Sequence, residues 1–147
     1  GIDDVEKSFT GILPYTPEQM FDLVAEVERY PEFLPWCMAA RVRARESQEN
    51  VVVADLVIGY KIFRERFTSR VELERPRRIN VFYSEGPFKY LNNHWIFEPG
   101  EGGCLIDFYV DFEFRSRFLQ RAIGIVFNEA VRRMVDAFEK RARQLYG

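Results

Sequence analysis

The sequence predicts an α+β fold in which a curved antiparallel sheet of about seven strands wraps around one long C-terminal helix. Between Trp36 and Phe114 the apolar residues recur with a period of two, the spacing of strands buried on one face. From about Arg117 to Tyr146 they recur at three and four, as one helical stripe. Only short turns separate the consecutive strands, so they form a meander, and such a sheet hides one face by curling around a helix.

The elements follow in order. A short first strand is expected around Val5 to Gly11. Thr16 then stands as a helix N-cap with Pro17 in the first turn, and PEQMFDLVAEV places Met20, Phe21, Val24 and Val27 at helical spacing. The next stretch, ERYPEFLPWC, carries Pro31 and Pro35, which exclude a long helix or a central strand. Tyr30, Phe33, Leu34 and Trp36 make it unusually apolar for a connecting segment.

In VVVADLVIGYKIF, Ala54, Leu56, Ile58 and Tyr60 share one face, and a turn is expected at Gly59 to Lys61. Phe63, Phe67, Val71 and Leu73 then share a face, with Arg64, Arg66, Thr68 and Arg70 opposite them. RPRRINVFYSEGPF reads as a turn at Pro76 and a strand through Tyr83, closed by Gly86 and Pro87. YLNNHWIFEPGEGG is a strand with Leu91, Trp95 and Phe97 on one side, ended by a Pro/Gly-rich turn. The cleanest alternation comes last, with Ile106, Phe108, Val110, Phe112 and Phe114 facing one way and Asp107, Tyr109, Asp111 and Glu113 the other. Ser116 is the expected N-cap of the final helix, whose stripe comprises Leu119, Ala122, Ile123, Val126, Phe127, Ala130, Val131, Met134, Phe138, Ala142 and Leu145.

Composition limits the function. The 147 residues, 47% of them hydrophobic, suit one domain, residues 1–147, that buries most of its apolar surface. With 21 basic against 23 acidic residues the net charge is -2, which lacks the basic excess of a dedicated nucleic-acid binder. No run of about 18 apolar residues could span a bilayer, and GIDDVEKSFTG lacks a signal peptide's basic start and apolar middle. The expected location is the cytoplasm, with at most peripheral contact at the inner face of the inner membrane. Cys37 and Cys104 are too few for a disulfide framework or a metal cluster and read as small buried apolar side chains. Aromatic residues reach 16%, with 14 phenylalanines, which points to a large apolar interior or a ring-lined cavity.

Enzymatic constellations are mostly absent. His94 falls on the face opposite Trp95, toward solvent, and general acid–base work needs a group held beside substrate. No Ser/His/Asp or Cys/His set is suggested by spacing, and PGEGG lacks the strand-to-helix context of a nucleotide loop. Glu65 is the one carboxylate that alternation places among the apolar positions, between Phe63 and Phe67. A bulge, an arginine partner or a contact to a ligand headgroup would each accommodate it. The lysines are Lys7, Lys61, Lys89 and Lys140 alone, so arginine dominates the basic residues. Arg41, Arg43 and Arg45 share one strand face, as do Arg64, Arg66 and Arg70, which makes either a solvated face paired with acidic neighbours or a phosphate-binding area.

Four stretches, LPYTPEQMFDLVAEVERYPEFLPWC, FRERFTSRV, EGPFKYLNNHWIF and VRRMVDAFEKRARQLYG, resemble the coenzyme Q-binding proteins of the START-like, polyketide cyclase/dehydrase superfamily. The resemblance runs from about Phe9 to Gly147 and implies the helix-grip fold, START/Bet v 1-like, in agreement with the pattern above. It further implies a ligand, ubiquinone or a related polyprenyl lipid, bound without chemistry and without another cofactor, in support of respiration or quinone biosynthesis. A closely related bacterial branch is described as a ribosome-association toxin, so a ribosome or RNA binder using the arginine face is the alternative. A cyclase or hydrolase using the cavity fits least.

On this reading the ligand lies between the sheet and the last helix, against Phe63, Phe67, Phe88, Leu91, Trp95, Phe108 and Phe112 on one side and Val126, Phe127 and Val131 on the other. Phe33, Leu34 and Trp36 are expected at the cavity mouth, either as a lid that touches the ligand and transiently the membrane surface or as rings packed under the sheet edge.

Overall fold

The computed structural model describes residues 5–45, 50–60 and 63–147, with the side chains of Ala44 and Arg45 outside the description. The elements are β1 (Val5–Leu13), α1 (Pro17–Ala25), a 3-10 turn over Val27–Glu32, β2 (Cys37–Arg45), β3 (Val51–Tyr60), β4 (Phe63–Glu74), β5 (Arg78–Glu85), β6 (Phe88–Gly100), β7 (Gly103–Phe114) and α2 (Arg117–Tyr146). They form a seven-stranded sheet in the order β1-β7-β6-β5-β4-β3-β2, antiparallel throughout. This is the predicted sheet and helix arrangement.

Since β1 and β2 are the two edges, the chain between them must cross the width of the sheet. It does so as α1 and the 3-10 turn, which bury Met20, Phe21, Leu23, Val24 and Val27. Thr16 and Gln19 close a capping box, each side chain accepting from the other's backbone N–H at 3.0 Å. The turn that follows contains Pro31, and Tyr30 anchors it by donating its hydroxyl to the Val24 carbonyl. Burial pushes the Tyr30 phenol well above its ordinary range, so it stays a neutral donor.

At the other junction, Ser116 accepts from Leu119 N–H at 3.2 Å, and the buried Gln120 side chain accepts from Phe114 N–H at 2.7 Å. Those two bonds set where α2 leaves the sheet. Its 30 residues span about 45 Å. The two halves pack differently: Val131, Met134, Phe138 and Ala142 are buried, whereas Ile123, Val126 and Phe127 in the first half are half-buried. Ala122 and Leu145, both expected on the apolar stripe, are exposed. The helix's last turns are latched by Arg141 to Glu32 at 2.8 Å and by the Tyr146 hydroxyl to the Gln19 carbonyl at 3.1 Å.

Gly59, expected in a turn, instead lies within β3, whose pairing with β4 is unbroken from Val51↔Glu72 to Tyr60↔Phe63. A Cβ there would lie 2.3 Å from Met38 Sδ, so any larger residue would have to displace that flexible, exposed side chain. Lys61 lies outside the described residues.

On the convex face Asp55 is buried beneath its own partners. Thr68 donates its hydroxyl to one carboxylate oxygen, while Arg66 and Arg43 approach the other at 3.3 and 3.5 Å. Burial alone would raise the Asp55 carboxyl, but the Thr68 and Arg66 hydrogen bonds and the charges of Arg43 and Arg66 outweigh it and hold the group below its ordinary value. Asp55→Ala is expected to cost about 1–3 kcal/mol, chiefly through the unpaired Thr68 hydroxyl, because the two arginines are well exposed and regain water. With the folded-state value depressed, the carboxylate's contribution is present above about pH 4 and lost as the pH falls through the folded value. Acid unfolding should therefore show a gap between wild type and variant that narrows below that pH. A gap independent of pH would contradict the assignment.

Candidate functional site

The concave face of the sheet and the inner face of α2 do not meet along their whole length. The helix packs chiefly on α1, β1 and β7. Opposite β3, β4 and β5 a cavity of about 230 Å³ lies between them. Its walls are built by alternation, with Ala54, Leu56 and Ile58 from β3, Phe67, Ser69 and Val71 from β4, and Phe108, Val110 and Phe112 from β7. The rings brace one another across the strands: Phe88 stacks on Phe114 with centres 4.6 Å apart and meets Phe67, Tyr83 and Phe112 edge to face at 5.4 Å. This wall is braced by contacts within the sheet, and Leu119, Ile123 and Phe127 of α2 pack against its end at Phe88, Phe112 and Phe114. At the α2 side Phe127 meets Phe112 at 5.3 Å, and the half-buried Ile123, Val126 and Ala130 form the rim.

Of the residues expected to bind, Leu34, Trp36, Phe63, Phe67, Phe88, Leu91, Trp95, Phe108, Phe112, Val126, Phe127 and Val131 all border this cavity. Phe33 does not. Its ring packs edge to face on Tyr30 and Phe138, at 6.1 and 5.3 Å, with the Arg141 guanidinium 5.2 Å above it. Leu34 is buried and the half-buried Trp36 borders the cavity, whereas Tyr30 and Phe33 are half-buried against Phe138. The large apolar side chains most exposed at the surface are on α2, Phe118 at 68% and Ile125 at 85%.

Among the described residues the lining contains no charged side chain, no histidine and no cysteine. It does contain a few polar groups. Asn93 donates its amide to the Tyr109 carbonyl at 2.9 Å and Tyr30 is bonded to Val24. Ser69 Oγ and Trp36 Nε1 are buried and make no hydrogen bond to the described residues. A buried hydroxyl left so costs about 1–3 kcal/mol, which makes Ser69 the least expected residue of this wall. Sequence reasoning passed over it, although it occupies the inner-face register between Phe67 and Val71 and could have been read from that register.

Other candidates lie elsewhere. His94 is on the convex face, half-buried and stacked on Tyr109 at 5.4 Å; burial and then the Arg78 charge lower its pKa below the ordinary imidazole value. Glu65 keeps the inner-face register opposite Ile58 without a bulge and is half-buried, but does not border the cavity. Cys37 and Cys104 are free and buried, and burial pushes both thiols up to about 11. Among the described residues no His, Cys, Asp and Glu cluster could hold a metal. Of the convex-face arginines, Arg43 and Arg66 are engaged by Asp55 and Arg70 by Glu72; the Arg45 side chain lies outside the described residues. What this arrangement does by geometry is enclose an apolar guest and offer it a small number of uncharged hydrogen-bonding groups.

Residues 13–139 match the family described as polyketide cyclase / dehydrase and lipid transport. The chain is similar to the ribosome association toxin RatA of Rickettsia prowazekii, 40% identical over 92% of this chain and 94% of that one. It is also similar to the mitochondrial coenzyme Q-binding protein COQ10 homolog B of Xenopus laevis, 34% identical over 100% of this chain and 62% of that one. Among solved structures, an 18 kDa protein from Caulobacter crescentus superposes with a TM-score of 0.82 at 35% identity, covering 97% of this chain and 99% of that one. The Zhui aromatase/cyclase from Streptomyces gives the same TM-score at 15% identity, covering 96% and 94%, and shares the fold.

Proposed function

The chain belongs to the polyketide cyclase/dehydrase and lipid transport family, and from that premise we propose that it binds and delivers ubiquinone or a related polyprenyl lipid without chemical change, in support of respiration or quinone biosynthesis. The observation that carries this reading is the ring-lined cavity, in whose lining the described residues place no charged group. An isoprenoid makes few polar demands, so burial at about 25 cal/mol per Å² supplies most of the affinity. General acid–base work would need a titratable group beside the guest, and the described residues of the lining offer none but tyrosines. At about 230 Å³ the cavity is on the small side for a ligand pocket, room for a substituted ring and the start of its chain. The rest of a long tail would leave past the half-buried rim of α2.

A second reading, ribosome association, is favoured by the name of the RatA relative and by the arginines of the convex face. Against it stands the pairing of Arg43, Arg66 and Arg70 with carboxylates on that same face. Salt separates the two. Quinone affinity should stay within about twofold between roughly 50 and 200 mM salt, while binding through six or more phosphates should fall about a thousandfold. Absence of quinone binding together with salt-sensitive cosedimentation with ribosomes would overturn the lipid reading. No helix among the described residues is long and apolar enough to cross a membrane.

A further inference from the structure

Among the described residues, two polar atoms in the cavity wall are buried without a hydrogen-bond partner, Ser69 Oγ and Trp36 Nε1. Ser69 is 4% exposed and stands in the middle of β4, paired with Ala54 on β3 and Tyr83 on β5. The β4–β5 register shifts between Thr68 and Ser69, but no turn, cap or strand end accounts for a hydroxyl there, and alanine would fill the same inner-face position with nothing left unbonded. An indole N–H only donates, and a serine hydroxyl donates or accepts. Both therefore suit an acceptor oxygen on a guest. Among the described residues the lining holds no cation to pair with a carboxylate or phosphate and no anion to pair with an amine.

We infer that Ser69 is a specificity-determining residue that donates its hydroxyl to a carbonyl, ether or hydroxyl oxygen on the buried end of a neutral ligand. This rests on the lipid-binding reading and deepens it. The ligand enters with its oxygen-bearing ring toward the sheet, and its hydrocarbon chain lies toward the α2 rim, where Ile123 and Val126 offer only apolar contact. Trp36 supplies a second donor from the segment that closes the cavity. Pure hydrocarbons and charged lipids of the same length are discriminated against, the first because they leave the hydroxyl unbonded and the second because their charge has no partner.

The test uses two neutral probes with the same chain, decylubiquinone and decylbenzene, titrated into wild type, Ser69→Ala and Trp36→Phe. Wild type should prefer decylubiquinone. Ser69→Ala should weaken decylubiquinone about five- to tenfold and leave decylbenzene within about twofold. Its thermal midpoint should equal or exceed that of wild type, because an unbonded buried hydroxyl is removed. Trp36→Phe, which keeps the ring, should give a smaller loss for the quinone alone. An unchanged preference in Ser69→Ala overturns the inference, as does a lowered midpoint, which would show the hydroxyl paired inside the protein. If wild type binds both probes equally the inference fails while the lipid reading stands; if it binds neither, both fail.

Discussion

Replacing Phe138 by alanine is expected to lower the free energy of unfolding by about 3–5 kcal/mol. The ring is nearly fully buried and meets Tyr30, Phe33 and Trp95 edge to face, with centres 5.7, 5.3 and 5.4 Å away. It therefore joins α2, the segment after α1 and the sheet at one point, and its removal strips three rings of a shared contact and enlarges the cavity that Phe138 itself borders. Val126→Ala, one helix half away, should cost only about 0.5–1.5 kcal/mol, since that side chain is half-buried and already borders open space. Denaturant unfolding of both variants measures the contrast. Equal losses would contradict a helix clamped at its C-terminal half and standing off at the other.

Val126→Arg is expected to abolish ligand binding while leaving stability within about 1 kcal/mol of wild type. The long side chain would project from the rim across an apolar space that holds no carboxylate, and a guest could enter only by desolvating the guanidinium. Stability is spared because the position is half-buried and the charge can reach water when no ligand is present. The chain's two tryptophans, Trp36 and Trp95, both border the cavity, so quenching of their fluorescence by a quinone reports occupancy directly. Quenching in wild type that is lost in Val126→Arg is the expected result. Undiminished quenching in the variant would move the ligand away from α2.

The fold was legible because each of its elements keeps one period. Alternation in LIDFYVDFEF assigns the faces of β7 residue by residue, and Thr16, Pro17 and Ser116 mark helix starts by chemistry that acts within a few residues. The ring-bearing wall followed from the same alternation, which is why Phe67, Trp95 and Phe112 could be placed together. Three features were not legible, each for the same reason. The apolar stripe of α2 looks uniform along its length, and which half is gripped depends on α1 and the 3-10 turn lying across one end of the sheet. Phe33 and Leu34 are neighbours in an irregular segment without a period, and only the backbone after Pro31 turns one inward and the other onto Phe138. Gly59 reads as a turn residue until Met38, from the neighbouring edge strand, is seen to occupy its Cβ position. Ser69 differs from these: its register was readable, and it was passed over because serine on an apolar face carries no sign of whether a partner awaits it.

The most direct test of the central claim, that the cavity holds a neutral oxygenated lipid, is mass spectrometry of the organic extract of wild-type protein purified without detergent from a quinone-producing host. The account expects a polyprenyl quinone in near-stoichiometric amount, unmodified, and absent from Val126→Arg prepared in parallel. Wild-type protein without bound lipid, or lipid retained equally by the variant, would contradict it.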